Sequence, residues 1–581
     1  MSDRSFSSMF LSSSADRPPL RVGLLLDSSR LSRAMASVIE DLRSSDFVRI
    51  ELIVFNAGAS TQAATRSTVR RLLELLRSRQ ARAAIAFNLY AWLDRLRVGL
   101  PDDPLAVEDC SSSLSGIESI RAVPIAVGSA DRLSGESIAR IEAAKLDVLL
   151  QLGFRTLRGD VLTAASFGVW SLHHGDNAQY VGGPPCFWEM VQGSSVTGVV
   201  LLRLAEGGPG DVVLDRAFFS TDPVSIARTR HQAFYGSTHL VIRRLRDLHE
   251  WGWSWIEDRL PSTTPDLGLR KFDRFPTNRE VLAWLLPLGL MRVIARAKRA
   301  LSRRDEILHW RIAVRMGHRG LTLGGPADMN GFKWLEAPRG HFYADPFVVE
   351  RDGRRWLFLE DFSYSKKAGV IGCGEILSNG EFVYSGPVLT SAGHLSYPMV
   401  VFDDQEVLMV PESSEEGCVR VYRATAFPQQ WEPIAEPYTG PAVDTSVWQQ
   451  DGRWWFFTTV REPRGKADML MLFHADAIDG AWIPHPMNPI SQDVRSARGA
   501  GGLFLDDGRL VRPSQDGSRG YGHSFTLNEI TTLSEAEYVE RPRLTVEPGW
   551  DPDLLGTHTY TRDGGVEVTD GKVSRARRSV V

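Results

Sequence analysis

Acidic residues and histidines recur at fixed intervals in the C-terminal part of this chain. Each of five segments opens on a polar residue or turn, runs into a strand, turns, and enters a second strand, which in four of them closes on another polar residue. The openings are Asp345, Tyr397, Asp444, the turn from Arg498 to Ala500, and His558; the closings are Glu360, Glu412, Thr459 and Gln515, with Asp516 following the last. One spacing separates opening from closing in four segments: 345 to 360, 397 to 412, 444 to 459, and 500 to 515. His394, Arg498 and Arg512 fall among these acids. Paired carboxyls in a cleft serve glycoside chemistry, one as acid and the other as base or nucleophile. Asp before a strand also caps turns. The Asp-Gly pairs at 352–353, 451–452 and 507–508 read as hairpin turns.

A second cluster lies upstream. Ser171, His173, His174 and Asp176 end an apolar run, Gly182-Gly183-Pro184-Pro185 follows, and Asp211 comes later. Polar groups at the carboxyl end of a parallel strand stand where open α/β sheets bind ligands, and either histidine could serve as acid/base or steady an oxyanion. The competing reading is a capping cluster with one satisfied histidine.

The elements that hold these groups differ between the two halves. A repeat of about 50 residues with two visible inner strands per unit predicts an all-β five-bladed β-propeller over 332–572, its first strands lining a central channel. The opening and closing residues then share one mouth of that channel. Upstream, apolar runs at 20–26, 49–55, 123–127, 146–152, 168–173 and 196–204 alternate with helical patterns such as 134–145, which predicts an α/β domain over 20–249 closed by a helix at 225–249. Between them, 250–331 reads as a helical basic linker, with Arg292, Arg296, Lys298, Arg299, Arg303 and Arg304 after an apolar run at 281–291. This basic stretch suits a peripheral membrane contact through 281–304, or, as charged faces more often do, an interdomain helix. Residues 1–19 read as a disordered leader and 573–581 as a tail.

Composition narrows the partners. A net charge of −4 gives no case for nucleic acid. Cys110, Cys186, Cys373 and Cys418 are too far apart for a zinc ribbon, and they fit a reducing, cytoplasmic setting. No run reaches the length needed to span a bilayer.

Two resemblances sharpen the reading. Tyr343-Ala344-Asp345-Pro346-Phe347 with Glu360-Asp361 resembles the start of five-bladed furanosidase-type glycosidases, in which such an Asp is the base. His394-Leu395-Ser396-Tyr397-Pro398, Pro411-Glu412-Ser413, Phe427-Pro428 with Trp431, His485-Pro486 with Asn488-Pro489, Arg512-Pro513 with Gln515-Asp516, and Tyr521-Gly522 are similar to the propeller in the N-terminal region of plant glucosamine inositolphosphorylceramide transferases. That resemblance implies carbohydrate handling. Residues 20–245 resemble the folate-dependent formyltransferases, which implies a formyltransferase-like open sheet, a catalytic His at His173, and 10-formyltetrahydrofolate as donor. Ser171 stands where that family has Asn and Pro209 where it has Asp, which leaves Asp211 or Asp176 to substitute. The reading expected from the whole chain is N-formyl transfer to a nucleotide- or lipid-linked amino sugar in surface polysaccharide or glycolipid synthesis. The alternatives are a propeller-centred glycosidase or glycosyltransferase and a non-catalytic glycan-binding protein.

Overall fold

The computed structural model describes residues 9–58, 84–128, 130–175, 180, 183–206, 210–260, 274–287, 306–317, 320–403, 406–465 and 467–580. The chain forms two compact units, Met1–Val293 with Glu462–Ala467, and Ile294–Arg461 with Asp468–Val581.

The first unit is built on a seven-stranded sheet in the order Val212–Ser220, Val196–Arg203, Val169–His173, Val148–Gln151, Leu20–Leu26, Val48–Asn56, Glu118–Ala122. The last five run parallel, and the first two form an antiparallel hairpin on the edge. Leu20–Leu26 lies inside the sheet, and Val22, Leu24, Leu25 and Leu26 are fully buried, as a strand covered on both faces requires. Ser134 caps the Gly135–Ala143 helix by accepting from Ser137 N.

Several expectations need correction here. The strand expected at 123–127 is present as Ile125–Val127, but it pairs with Ala130–Arg132 in a small separate sheet. The main sheet takes Glu118–Ala122 instead, which ends before Pro124 because proline cannot extend the ladder. The single helix expected at 225–249 is two, Ile226–Gly236 and His239–Trp251, broken at Ser237-Thr238. The leader is not free from residue 9 onward. Phe10 is 1% exposed and stacks on His239, while the Ser13 hydroxyl meets His249 Nδ1 at 2.7 Å. Residues 1–8 lie outside the described residues.

The second unit, among its described residues, is five antiparallel sheets. Blade one runs His341–Arg351, Arg354–Ser363, Ala368–Ile376, Phe382–Leu389; blade two Ser396–Asp403, Glu406–Glu412, Cys418–Ala426, Gln430–Thr439; blade three Ala442–Gln450, Arg453–Arg461, Asp468–Ala475, Ile483–Pro484. Blade four has Arg498–Gly499 and Phe504–Asp506 innermost, then Arg509–Asp516, Ser524–Leu533 and Tyr538–Val546. Asp352-Gly353, Asp451-Gly452 and Asp507-Gly508 all have positive φ at both residues, as the expected two-residue hairpin turns require.

Blade five departs from the expected boundary at 332. Its inner strands, Leu554–Gly556 and Tyr560–Asp563, pair with Val566–Ala576, but the next strand outward is Glu306–Met316, followed by Lys333–Trp334. Residues from the expected basic linker therefore close the ring, in an unbroken register from Glu306↔Ala576 to Met316↔Val566. Alternation along this strand puts Ile312 and Val314 on one buried face and Arg311 and Arg315 on the other, where Arg315 is also buried, in an ion pair with Glu567. The strand Val566–Ala576 also runs past residue 572, so the tail is the short helix Arg577–Val580. The six basic residues from 292 to 304 lie outside the described residues.

Neighbouring inner strands are tied around the ring. Tyr560 N donates to Ala500 O between blades five and four, and Val348 N donates to the Thr561 hydroxyl between blades one and five.

Candidate functional site

The side chains at the propeller axis are aimed by a repeated backbone device. In blades one, two and three the inner strand slips register between Ala344 and Phe347, Ser396 and Met399, and Val443 and Ser446. The first residue of each slip takes a left-handed conformation: Asp345 at φ 48°, Tyr397 at 46°, Asp444 at 48°. Each is a β-bulge that leaves an extra residue unpaired and re-aims its side chain. A non-glycine residue held there costs on the order of 1 kcal/mol.

Asp345 and His558 form the first half of the site. The Asp345 carboxylate accepts from the Thr559 hydroxyl at 2.9 Å and faces His558 Nε2 at 3.5 Å. His558 Nδ1 sits 2.7 Å from Asp570, which also accepts from the backbone N–H groups of His558 and Thr559. Burial alone would lower the basicity of His558, but Asp570 outweighs it and holds the ring above its ordinary value. Burial pushes the Asp345 carboxyl up to about 6 against the pull of His558. Trp310, from the closing strand, stacks on His558 at 4.0 Å, and the Tyr521 hydroxyl meets His558 Nε2 at 3.2 Å. Asp345, His558 and Asp570 have the spacing of a metal-ligating trio, but the short Asp570–His558 contact already satisfies Nδ1 as a hydrogen bond.

Asp444 and Glu360 form the second half. Asp444 is ion-paired with Arg498, whose guanidinium also lies 4.8 Å above the Tyr521 ring. It accepts from Gln515 Nε2 at 3.0 Å. Burial, reinforced by the neighbouring Glu412 carboxyl, pushes Asp444 up to about 7 although Arg498 pulls the other way. Glu360 is driven well above the usual carboxyl range by burial and then by Asp345 and Glu412. His394 Nδ1 accepts from Gly369 N at 2.8 Å, so its proton is on Nε2, which faces Glu360 at 3.6 Å. Gln515 Oε1 is buried with no hydrogen-bond partner.

The axis therefore gathers Asp345, Glu360, His394, Glu412, Asp444, Arg498, Gln515 and His558, most of the residues expected at this mouth. The other three have local duties. Tyr397 is fully buried; its hydroxyl accepts from Gly501 N at 2.6 Å and meets Ser446 Oγ and Gly501 O at 3.0 Å, which ties blade two to blades three and four. Arg512 is bidentate to Glu540 inside blade four, and Asp516 caps Ser518 N at 2.9 Å.

In the first unit the expected constellation does not assemble around Asp211. Ser171 and His173 pair across the sheet with Leu202 and Val200, whereas Trp170 pairs with Arg203 and Arg203 with Val212. Asp211 thus stands beyond the far end of this register, roughly 13 Å along the strands from the His173 row, and its carboxylate accepts from Ala205 N at 2.8 Å. His174 stacks on Phe234 at 3.6 Å, and its Nε2 is buried without a hydrogen-bond partner; burial and then His173 depress it to about 3. Burial also lowers His173. Both rings are therefore neutral at pH 7. Asp176, with Gly182 and Pro209, lies outside the described residues.

Comparison with known proteins covers the propeller. The family described as "Glucosamine inositolphosphorylceramide transferase 1, N-terminal" matches residues 336–548, which are blades one to four. Glucosamine inositolphosphorylceramide transferase 1 of Oryza sativa subsp. japonica is 36% identical over 207 residues, covering 35% of this chain and 28% of the relative. The protein of that name from Arabidopsis thaliana is 34% identical over 205 residues, covering 34% and 27%. This chain thus spans little more than a quarter of the length of the curated relatives it matches. Among solved structures, an exo-1,5-α-L-arabinanase from a bovine ruminal metagenomic library is 12% identical with a TM-score of 0.31, covering 41% of this chain and 94% of its own. The β-xylosidase RS223 is 11% identical with a TM-score of 0.32, covering 40% and 92%.

Asp570, Tyr521, Thr559 and Trp310 are site residues that the sequence reading did not place there. Asp570 had a signal. Val566-Glu567-Val568-Thr569-Asp570 repeats the pattern Trp356-Leu357-Phe358-Leu359-Glu360, so extending the fifth unit from Val568 to Asp570 reaches it. Trp310 had none, because it arrives on a strand far from its blade in sequence.

Proposed function

We propose that the propeller axis binds a carbohydrate and carries acid–base chemistry on it, as the working site of a carbohydrate-modifying transferase. The observation that carries this reading is the set of buried carboxyls at one axis whose acidities are pushed toward neutrality: Asp345 to about 6, Asp444 to about 7, and Glu360 higher than its usual range. A general acid needs a pKa near working pH, and burial with like charge provides it. Glu360, holding its proton beside His394, is the acid in this reading. Asp345, oriented by Thr559 and the His558–Asp570 pair, is the base. The similarity of blades one to four to a transferase named for glucosamine and an inositol-phosphate lipid supports an amino sugar as donor group and a lipid-linked acceptor.

The test is to incubate the full chain with nucleotide-activated hexosamines, inositol-phosphate lipids and oligosaccharides, following products by mass spectrometry and binding by calorimetry. Asp345→Asn and Glu360→Gln should each lower turnover by roughly 10²–10⁴-fold, and His173→Ala should not. Saturable glycan binding without turnover would reduce the site to a binding module; neither binding nor turnover would sink the reading.

A second reading gives the first unit N-formyl transfer to an amino sugar with 10-formyltetrahydrofolate. It is favoured by His173 at the carboxyl end of a parallel strand. The short Ser171 and the engaged Asp211 do not complete a donor set for that group, so no step is derived through it. Transfer of a labelled formyl group, lost in His173→Ala, would establish it.

A further inference from the structure

The helix Ile85–Val98 is assembled the wrong way round for a helix facing water. Its inward face carries Phe87, Tyr90 and Asp94, all buried. Asp94 is satisfied there by the Ser225 hydroxyl and by Ala227 N, both at 2.9 Å. Its outward face carries Ile85, Leu89, Trp92, Leu93 and Leu96, which are 49, 53, 57, 50 and 61% exposed. These positions follow i, i+4, i+7, i+8 and i+11, one continuous stripe at helical spacing. Single exposed apolar residues need no explanation, but five large ones in one stripe mark an interaction surface.

A second helix, 278–287, adjoins it. Trp284 packs edge-on against Tyr90 at 5.1 Å, and Asn278 Oδ1 accepts from Ala86 N at 2.8 Å. Val281 is fully buried, while Leu282 and Leu286 are 51 and 71% exposed.

Charge and length select the occupant. Arg95 and Arg97 stand in the last turn of Ile85–Val98, and the sequence after the second helix holds six Lys and Arg between 292 and 304. A helix of 14 residues is about 21 Å long, too short to cross a bilayer of about 30 Å but long enough to lie along its surface. Among the described residues no helix is long and apolar enough to cross a membrane. An apolar stripe with Trp and Leu on one side, Arg97 in its last turn beside Arg95 (which pairs with Asp103), and a basic run further along the sequence is the form of an interfacial helix.

We infer that the outward face of Ile85–Val98, with Leu282 and Leu286, docks on an anionic bilayer surface. This inference is independent of the propeller's chemistry. It extends the expected contact at 281–304 to a face centred on Trp92.

Co-sedimentation of the full chain with phosphatidylcholine vesicles, with and without about one-third phosphatidylserine, tests it. The expected result is sedimentation with the anionic vesicles, weakened by salt, and a loss of at least tenfold in partitioning for Leu89→Ser/Trp92→Ser. Those side chains are exposed, and an unchanged circular dichroism spectrum and melting temperature confirm folding. Equal binding by the variant overturns the proposal. So does absence of vesicle binding, whether light scattering then shows a dimer that the variant abolishes or a monomer whose face is covered by its own chain.

Discussion

The propeller axis and the strand ends of the N-terminal sheet both collect polar residues, with different consequences. In the propeller the inner strands start around one axis, so a residue type repeated once per blade converges on its own copies. Asp345 and Asp444 come from blades one and three, yet the charge of Asp444 helps to raise Asp345, and both act on Tyr521. In the open sheet the strands lie side by side about 4.8 Å apart, so polar residues spread along an edge. His173 and Asp211 are nearer in sequence than Asp345 and Asp444, and the register still holds them at opposite ends of the strands. Convergence is set by topology and not by sequence distance.

Activity distinguishes the two regions most directly. Glu360→Gln should lower turnover by roughly 10²–10⁴-fold, the usual cost of a positioned acid or base, with His173→Ala within about twofold of the native chain. The opposite pattern in a product assay would move the chemistry to the sheet.

Next in size is the axial lock. Tyr397→Phe removes the hydroxyl that Gly501 N and Ser446 share, and leaving buried groups unpaired should cost about 2–3 kcal/mol. Denaturant unfolding followed by tryptophan fluorescence reads it. A loss no larger than that of an ordinary surface substitution, about 0.5 kcal/mol, would mean that the tyrosine does not tie the blades.

Stability should also depend on pH. Asp444 titrates near 7 when folded, against an ordinary value of 3.8, and Asp345 near 6. Raised carboxyls keep protons that the unfolded chain gives up, so their contribution is complete below about pH 4 and is lost as pH rises through 6 to 7. Melting temperature should fall over that window, and Asp444→Asn should flatten the fall. An unchanged slope in the variant would remove Asp444 from the buried, proton-holding set.

The smallest effect is expected at the sheet. Asp211→Ala removes a turn contact to Ala205 N and should cost about 1 kcal/mol, without shifting the titration of His173 seen by NMR. A His173 shift would restore the two residues to one site.

Much of the axial ring was legible because it rests on local rules. Strand alternation, Asp-Gly turns and the constant spacing from opening to closing residue together place Asp345, Glu360, Glu412, Asp444 and Gln515 at one mouth. Arg512 and Asp516 lie on the same repeat yet turn elsewhere, because alternation along a strand sends the neighbours of an axial residue to the blade interior or the rim. Tyr397 shares the left-handed bulge of Asp345 and Asp444, but its longer side chain reaches across to the next blades and closes on Gly501.

By itself the sequence determined the repeat, the hairpins, the parallel core around Leu20–Leu26 and most of the polar ring, since each follows from spacing over a short stretch of chain. Tertiary structure decided which distant strand closes blade five and so brings Trp310 onto His558. It decided that burial and like charge, not residue type, raise Asp345, Glu360 and Asp444. It also decided that Ile85–Val98 turns Asp94 inward and its leucines out. Pairing partners, burial and the choice of helix face depend on residues remote in the chain, and no local pattern contains them.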